Sequence, residues 1–189
     1  EALKTIWANE IDNNCCETLS LNFPQTLIIG KSITDIVKND IPDEEIDLLT
    51  AGFPCQSFSQ AGNMGGFEDP RGRLFFDIPR IIRLMKHPPK VVLLENVAFL
   101  KIYNKGEFLK TIISEMRFAG YWVKEENAQV ICSSKFGATP QRRERLFIVC
   151  VHKSFKPRNS FEFNKIRESC RVNLFDFIDR SKRMDDYYY

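Results

Sequence analysis

Histidine is almost missing from this 189-residue chain: only His87 and His152 are present. His87 lies in a Lys-His-Pro-Pro turn and His152 follows an apolar run, which argues against a cysteine–histidine hydrolase. Charge of one sign is missing too. Lys and Arg number 27 against 25 Asp and Glu, a net +2, so any nucleic-acid contact must come from local clusters and not from bulk charge. No apolar run approaches the roughly 20 residues that a membrane span needs. The first ten residues carry Glu1, Lys4 and Glu10, unlike a secretory leader. The six cysteines, Cys15, Cys16, Cys55, Cys132, Cys150 and Cys170, show no C-x-x-C spacing. That scatter argues against a zinc site and against a disulfide frame, and implies reduced thiols in a cytoplasmic protein, or a nuclear one in a eukaryote. A phosphate cradle is absent as well. Gly62, Gly65 and Gly66 fall in a long polar loop over 52–73, whereas a cradle runs directly from strand into helix. Long glycine-rich loops of this kind act as lids.

With 43% hydrophobic and 28% charged residues, the composition is that of a globular domain with a sizeable core. Short apolar runs alternate with amphipathic ones. Ala2–Ala8, Thr26–Ile29, Ile46–Ala51, Lys90–Leu94, Tyr121–Val130 and Leu146–Val151 read as strands, with Lys90–Leu94 apolar enough to be buried on both faces. Asp12 is placed to cap a helix running to about Leu21. A second helix is expected from about Leu74 to Met85, kinked or delayed by Pro79. The spacing of Phe108, Ile112, Ile113, Met116 and Ala119 predicts a third over Glu107–Ala119. Strand–helix–strand repetition implies an α/β fold with a doubly wound, mostly parallel sheet, whose ligands sit beyond the carboxyl ends of the strands. Beyond Val151 the pattern weakens: 154–170 reads as a surface connection and Asn173–Asp179 as the start of a short helix.

Three segments carry chemistry. Gly52-Phe53-Pro54-Cys55-Gln56-Ser57-Phe58-Ser59 leaves a strand and presents a cysteine behind a proline, positioned either as a nucleophile or as an inert loop thiol. Glu95-Asn96-Val97 ends the apolar strand, so its carboxylate lies between sheet and solvent, as a proton-transfer group or as a surface ion pair. Thr139-Pro140-Gln141-Arg142-Arg143-Glu144-Arg145 leads into the last strand with three arginines, suited to phosphate and carbonyl oxygens or forming a solvated edge. Strand alternation sends Arg143 and Arg145 to one face and Arg142 and Glu144 to the other.

Taken together, Ala51–Gln56, Gly66-Phe67-Glu68-Asp69 with Arg71-Gly72, Glu95-Asn96-Val97 and Gln141–Arg145 resemble the cytosine-5 DNA methyltransferase family, over Asn9 to about Val151. The resemblance implies the S-adenosylmethionine-dependent methyltransferase fold. It implies attack by Cys55 on carbon 6 of a flipped-out cytosine, with Glu95, Arg143 and Arg145 completing the catalytic set. It further implies cofactor contacts from Glu10, Ile11, Ser32, Ile33, Pro54 and Leu74. DNA contacts would come from Gln56, Ser57, Ser59, Arg71, Asn96, Val97 and Gln141. S-adenosylmethionine is the expected methyl donor and double-stranded DNA the expected partner, bound by a monomer without metal or membrane, in a restriction-modification system. Two positions depart from the family pattern: Ile11 stands where an aromatic is usual and Ser32 where aspartate is usual, both on the adenine side. Residues 1–153 are expected to form the catalytic core, without the family's first strand and glycine-rich turn, and 154–189 a connection toward a target recognition region. A transfer-RNA cytosine methyltransferase and a non-catalytic DNA-binding paralogue are the alternatives. Intact Cys55, Glu95 and Arg145 argue against the second.

Overall fold

The computed structural model describes residues 3–54, 70–137, 139–155, 161 and 163. The elements are β1 (Trp7–Asn9), α1 (Asn13–Asn22), β2 (Leu27–Ile29), β3 (Leu48–Gly52), α2 (Pro70–Arg73), α3 (Asp77–Leu84), β4 (Val91–Val97), α4 (Glu107–Phe118), β5 (Tyr121–Trp122), β6 (Ala128–Cys132), α5 (Ser133–Phe136) and β7 (Glu144–His152). The class is α/β, as the alternation implies. β1 pairs with β2 in parallel, and β3 with β4 in parallel, while β7 runs antiparallel to β4, β5 and β6.

Local chemistry sets most of the boundaries. Asp12 caps α1 by accepting the Cys15 N–H at 3.0 Å, which satisfies a donor that the first turn leaves orphaned. The helix starts late, at Asp77, and Pro79 falls in the first turn of α3, where its missing N–H costs no internal bond. The helical segment opens instead as a 3-10 turn over Leu74–Phe76. Gly120, at φ 98°, ends α4 in a left-handed turn that its neighbours on either side avoid.

Three strand expectations need correction. β1 is only Trp7–Asn9 and not Ala2–Ala8, because its partner β2 offers three residues to pair. β4 runs on to Val97, so Glu95 and Asn96 lie within the strand and not after it; β7 continues the ladder opposite both. Tyr121–Val130 is two strands, interrupted by a 3-10 turn over Glu125–Asn127 in which Asn127 Oδ1 accepts the Lys124 N–H. The apolar run at β4 also alternates between fully buried Val92 and Leu94 and half-buried Val91 and Leu93. A strand with one face better covered carries the same apolar letters as one covered on both.

The main core joins Val92 and Leu94 of β4 to Leu146, Ile148 and Cys150 of β7, and caps them with Leu109, Ile112, Ile113 and Met116 of α4. A second cluster packs Ile29, Ile36, Ile41 and Ile46 against Ile81 and Met85. Helix α3 belongs to both, since Ile78 and Ile82 face the first. It therefore ties the β1–β2 unit to the larger sheet. Burial pushes the Cys150 thiol up to about 12, so this cysteine is inert packing.

Tyr121 is fully buried and its hydroxyl donates to Pro89 O at 2.8 Å. Tyr121→Phe should destabilise the protein by about 1–2 kcal/mol, because it leaves a buried carbonyl unpaired. Leu94→Ala should cost about 3–5 kcal/mol through the cavity it opens. Urea denaturation of both variants checks this. A Tyr121→Phe protein as stable as the parent would show that Pro89 O finds water instead.

Candidate active site

The register of three strands assembles the site. Gly52 of β3 stands opposite Glu95 of β4, and Glu95 stands opposite Phe147 of β7. Arg145 lies two residues before Phe147, so it shares a sheet face with Glu95 as a diagonal neighbour. Arg145 Nε reaches Glu95 Oε1 at 2.9 Å, and Arg145 Nη1 donates to Glu144 O at 2.8 Å. A Cβ at Gly52 would come within 3.4 Å of Glu95 Oε2. Glycine thus leaves the second carboxylate oxygen uncovered on the side facing β3. Glu95 is 39% exposed along its side chain and Arg145 23%. An ion pair that wet contributes at most about 1 kcal/mol, so its consequence is orientation: a carboxylate and a guanidinium aimed at the same spot.

Asn96 faces the opposite way. It is the one buried polar residue among those described, at 3% exposure. Its amide donates to Phe53 O at 3.0 Å, and its Oδ1 accepts the Val97 N–H at 2.9 Å. Phe53 is buried and packs on Phe75 with ring centroids 5.3 Å apart. The chain leaving β3 is therefore clamped at Phe53 by an amide and a ring, and half-buried Pro54 follows it toward Cys55. Asn96 touches protein here through both ends of its amide, and half-buried Val97 closes the strand beside Arg145.

Two of the three arginines take different carboxylate partners. Arg142 Nη2 pairs with Glu144 at 3.0 Å while Arg145 turns to Glu95. Arg143 is exposed and lies just before β7, so strand geometry does not fix its side chain. Its backbone is fixed by Ser133, at the start of α5. Ser133 N donates to Arg143 O at 3.0 Å, and Ser133 Oγ accepts the Arg143 N–H at 3.1 Å and donates to Gln141 O. Sequence reasoning missed Ser133, since nothing near it in sequence marks a hydroxyl that splints a loop eight to ten residues away. The exposed Gln141 is held on that loop by the same hydroxyl.

At the carboxyl ends of β1 and β2 a second group gathers. Glu10 directly follows β1, with Oε1 accepting the N–H groups of Ile11 and Asp12 at 2.7 and 3.0 Å. Asn9 Nδ2 bridges Ile29 O and Lys31 O at 2.9 and 2.8 Å, which fixes the chain that leads into Ser32. Ser32 Oγ bonds Thr34 Oγ1 at 2.8 Å, and Ile33 is half-buried at the start of a 3-10 turn. Ile11 is 68% exposed, an apolar side chain open to solvent beside the Glu10 carboxylate. Leu74 is half-buried before α3.

Cys55, Gln56, Ser57, Ser59 and the side chain of Arg71 lie outside the described residues, as does most of the 52–73 loop. Of the described cysteines, Cys132 has its thiol lowered, by a hydrogen bond to Ser134, but it is buried. The described residues hold no group of three metal-ligating side chains, and no described helix is long and apolar enough to cross a membrane.

The model for C-5 cytosine-specific DNA methylases matches residues 1–189. The type II methyltransferase M.HpaII of Haemophilus parainfluenzae is 42% identical over 98% of this chain and 49% of its own length. The type II methyltransferase M.Bsp6I of Bacillus sp. (strain RFL6) is 38% identical over 98% of this chain and 56% of its own. The chain thus spans about half the length of these curated relatives. The solved structure of the Entamoeba histolytica methyltransferase EhMeth shares the fold at a TM-score of 0.70 and 17% identity, over 96% of this chain and 52% of that one. The clamp at Phe53, the carboxylate–guanidinium pair of Glu95 and Arg145, and a family match along the whole sequence agree: the chain belongs to the C-5 cytosine-specific DNA methylases.

Proposed function

We propose that this chain forms the catalytic core of an enzyme that methylates carbon 5 of cytosine in double-stranded DNA, within a restriction-modification system in the cytoplasm. The observation that carries the reading is the convergence of Glu95 and Arg145 beside Gly52, with the chain into Cys55 anchored at Phe53. Relatives whose names are type II methyltransferases support it.

The residues at the ends of β1 and β2 suit S-adenosylmethionine. Glu10 offers a carboxylate to ribose hydroxyls, and Ile11 and Ile33 offer apolar surface to an adenine; Ser32, Pro54 and Leu74 complete the set. When bound there, this cofactor supplies an electrophilic methyl group. The chain's own residues supply the rest. Carbon 5 of cytosine is a weak nucleophile, and the Cys55 thiolate changes that by adding to carbon 6. Negative charge then develops toward ring nitrogen 3 and the carbonyl oxygen. Glu95 meets ring nitrogen 3 and the exocyclic amine, sharing a proton with nitrogen 3 as that charge develops, and Arg145 holds the carbonyl oxygen. Loss of the carbon 5 proton and expulsion of the Cys55 thiolate restore the aromatic ring. Arg143 orients the pair and meets the DNA backbone. The base must leave the duplex to reach these groups; Gln56, Ser57, Ser59, Arg71, Asn96, Val97 and Gln141 serve the DNA side, Asn96 by holding the loop. The enzyme acts as a monomer.

Three substitutions in the protein at its natural length test the assignment. Cys55→Ser should abolish methyl transfer to duplex DNA while leaving the melting temperature within about 2 °C of the parent, since a serine hydroxyl is far less acidic than a thiol. Measurable turnover would remove Cys55 from the mechanism. Arg145→Ala should lower kcat on the order of a hundredfold or more, whereas Arg142→Ala, whose partner is Glu144, should stay within about threefold of the parent. Equal losses from the two would contradict the difference in partners that separates them.

A further inference from the structure

Arg80 lies outside every segment that carries the proposed chemistry, yet all three of its guanidinium nitrogens are bonded. From α3, Nη2 donates to Ile33 O at 2.6 Å, Nη1 to Ile36 O at 2.8 Å, and Nε to Asp77 Oδ1 at 2.7 Å. The two carbonyls bracket the 3-10 turn Ile33–Asp35 that follows β2. We propose that Arg80 is a positioning residue for the cofactor: it locks the turn carrying Ser32 and Ile33 onto α3 and so sets the adenine end of the site. The proposal rests on the reading that Ser32 and Ile33 flank the cofactor's adenine.

The turn's own bonds are uneven. Short 3-10 turns have poor hydrogen-bond geometry; here Asp35 N–H donates to Ser32 O at 2.9 Å, but the closing Ile36 N–H to Ile33 O contact is 3.4 Å long. The Arg80 bond to that same oxygen is far shorter and charge-assisted. Packing alone does not orient the turn either. Ile36 is buried against Ile81 and Met85, which fixes how close the turn comes to α3, but apolar contact is non-directional. The planar fork supplies direction. Asp77, with its side chain 16% exposed, holds the Nε edge and leaves the two terminal nitrogens aimed at the carbonyls. A lysine could reach one of these acceptors as a point charge but could not span all three.

The turn that runs into α3 faces the catalytic side. Phe75, in the 3-10 turn Leu74–Phe76, packs its tilted ring on Phe53 at the exit of β3. Arg80 thus ties the adenine turn to the element that also braces the chain leading to Cys55. Its effect should fall on cofactor binding, which is the same in ground and transition states, and hardly on the chemical step.

The test uses the protein at its natural length with Arg80→Met, which keeps an apolar stem, Arg80→Lys, and Asp77→Asn. Four quantities are measured: cofactor KM, kcat, the dissociation constant of S-adenosylhomocysteine, and affinity for duplex DNA without cofactor. Arg80→Met should raise cofactor KM and the S-adenosylhomocysteine constant roughly 10- to 100-fold, as expected for losing charge-assisted bonds. kcat and DNA affinity should stay within about threefold. Arg80→Lys and Asp77→Asn should fall between parent and Arg80→Met. Unchanged cofactor affinity in Arg80→Met, or a parallel loss of kcat and DNA affinity in Arg80→Lys and Asp77→Asn, would overturn the proposal, the second because it marks a general loss of structure. The parent protein judges the underlying reading separately: if it binds no S-adenosylhomocysteine, the cofactor assignment itself fails.

Discussion

The antiparallel ladder between β4 and β7 is the constraint on which the site depends. It pairs Glu95 with Phe147 and Val97 with Arg145, and a slip of one residue would send Arg145 to the opposite face from Glu95. The register is set from below. Val92 and Leu94 on β4 and Leu146, Ile148 and Cys150 on β7 are all sealed under α4, and a one-residue slip would turn one strand's apolar set toward solvent. Core packing therefore places the carboxylate and guanidinium, and the ion pair itself adds little to stability at this exposure. The same strand does a second task on its buried face, where Asn96 holds Phe53 O. Alternation along β4 thus separates the carboxylate paired with Arg145 from the amide that braces the loop.

A similar economy appears at α3. One helix contributes Ile78 and Ile82 to the main core and Ile81 to the satellite cluster, so the β1–β2 unit and the larger sheet share a wall. The β1–β2 ladder has only three residue pairs, too few to fix its own position. Side chains bonded to backbone carbonyls make up the difference: Asn9 on Ile29 O and Lys31 O, and Arg80 on Ile33 O and Ile36 O.

What the sequence disclosed follows from how local each feature is. The Asp12 cap and the α4 stripe are set within a few residues, and they were legible. The α/β class was legible from alternation. The end of β4 was not, because strand length depends on how far a distant partner continues the ladder. Nor was the break at Glu125–Asn127, where polar side chains closing a turn read as the solvent face of one strand. Ser133 and Arg80 were invisible for a sharper reason: each acts on backbone carbonyls, which every residue carries, so no partner residue type betrays them. Cys55 was found by motif, and its surroundings fall outside the described residues.

If the β3 exit, Glu95 and Arg145 converge on one cytosine attacked by Cys55, duplex DNA carrying 5-fluorocytosine at the methylated position should trap the protein. Fluorine occupies the place of the proton that must leave carbon 5, so methyl transfer can occur but elimination cannot, and the enzyme stays bonded to carbon 6. Incubation of the natural-length protein with this DNA and S-adenosylmethionine, followed by proteolysis and mass mapping, should place the nucleotide adduct on Cys55. An adduct on another residue, or none from a protein that methylates ordinary DNA, would contradict the account.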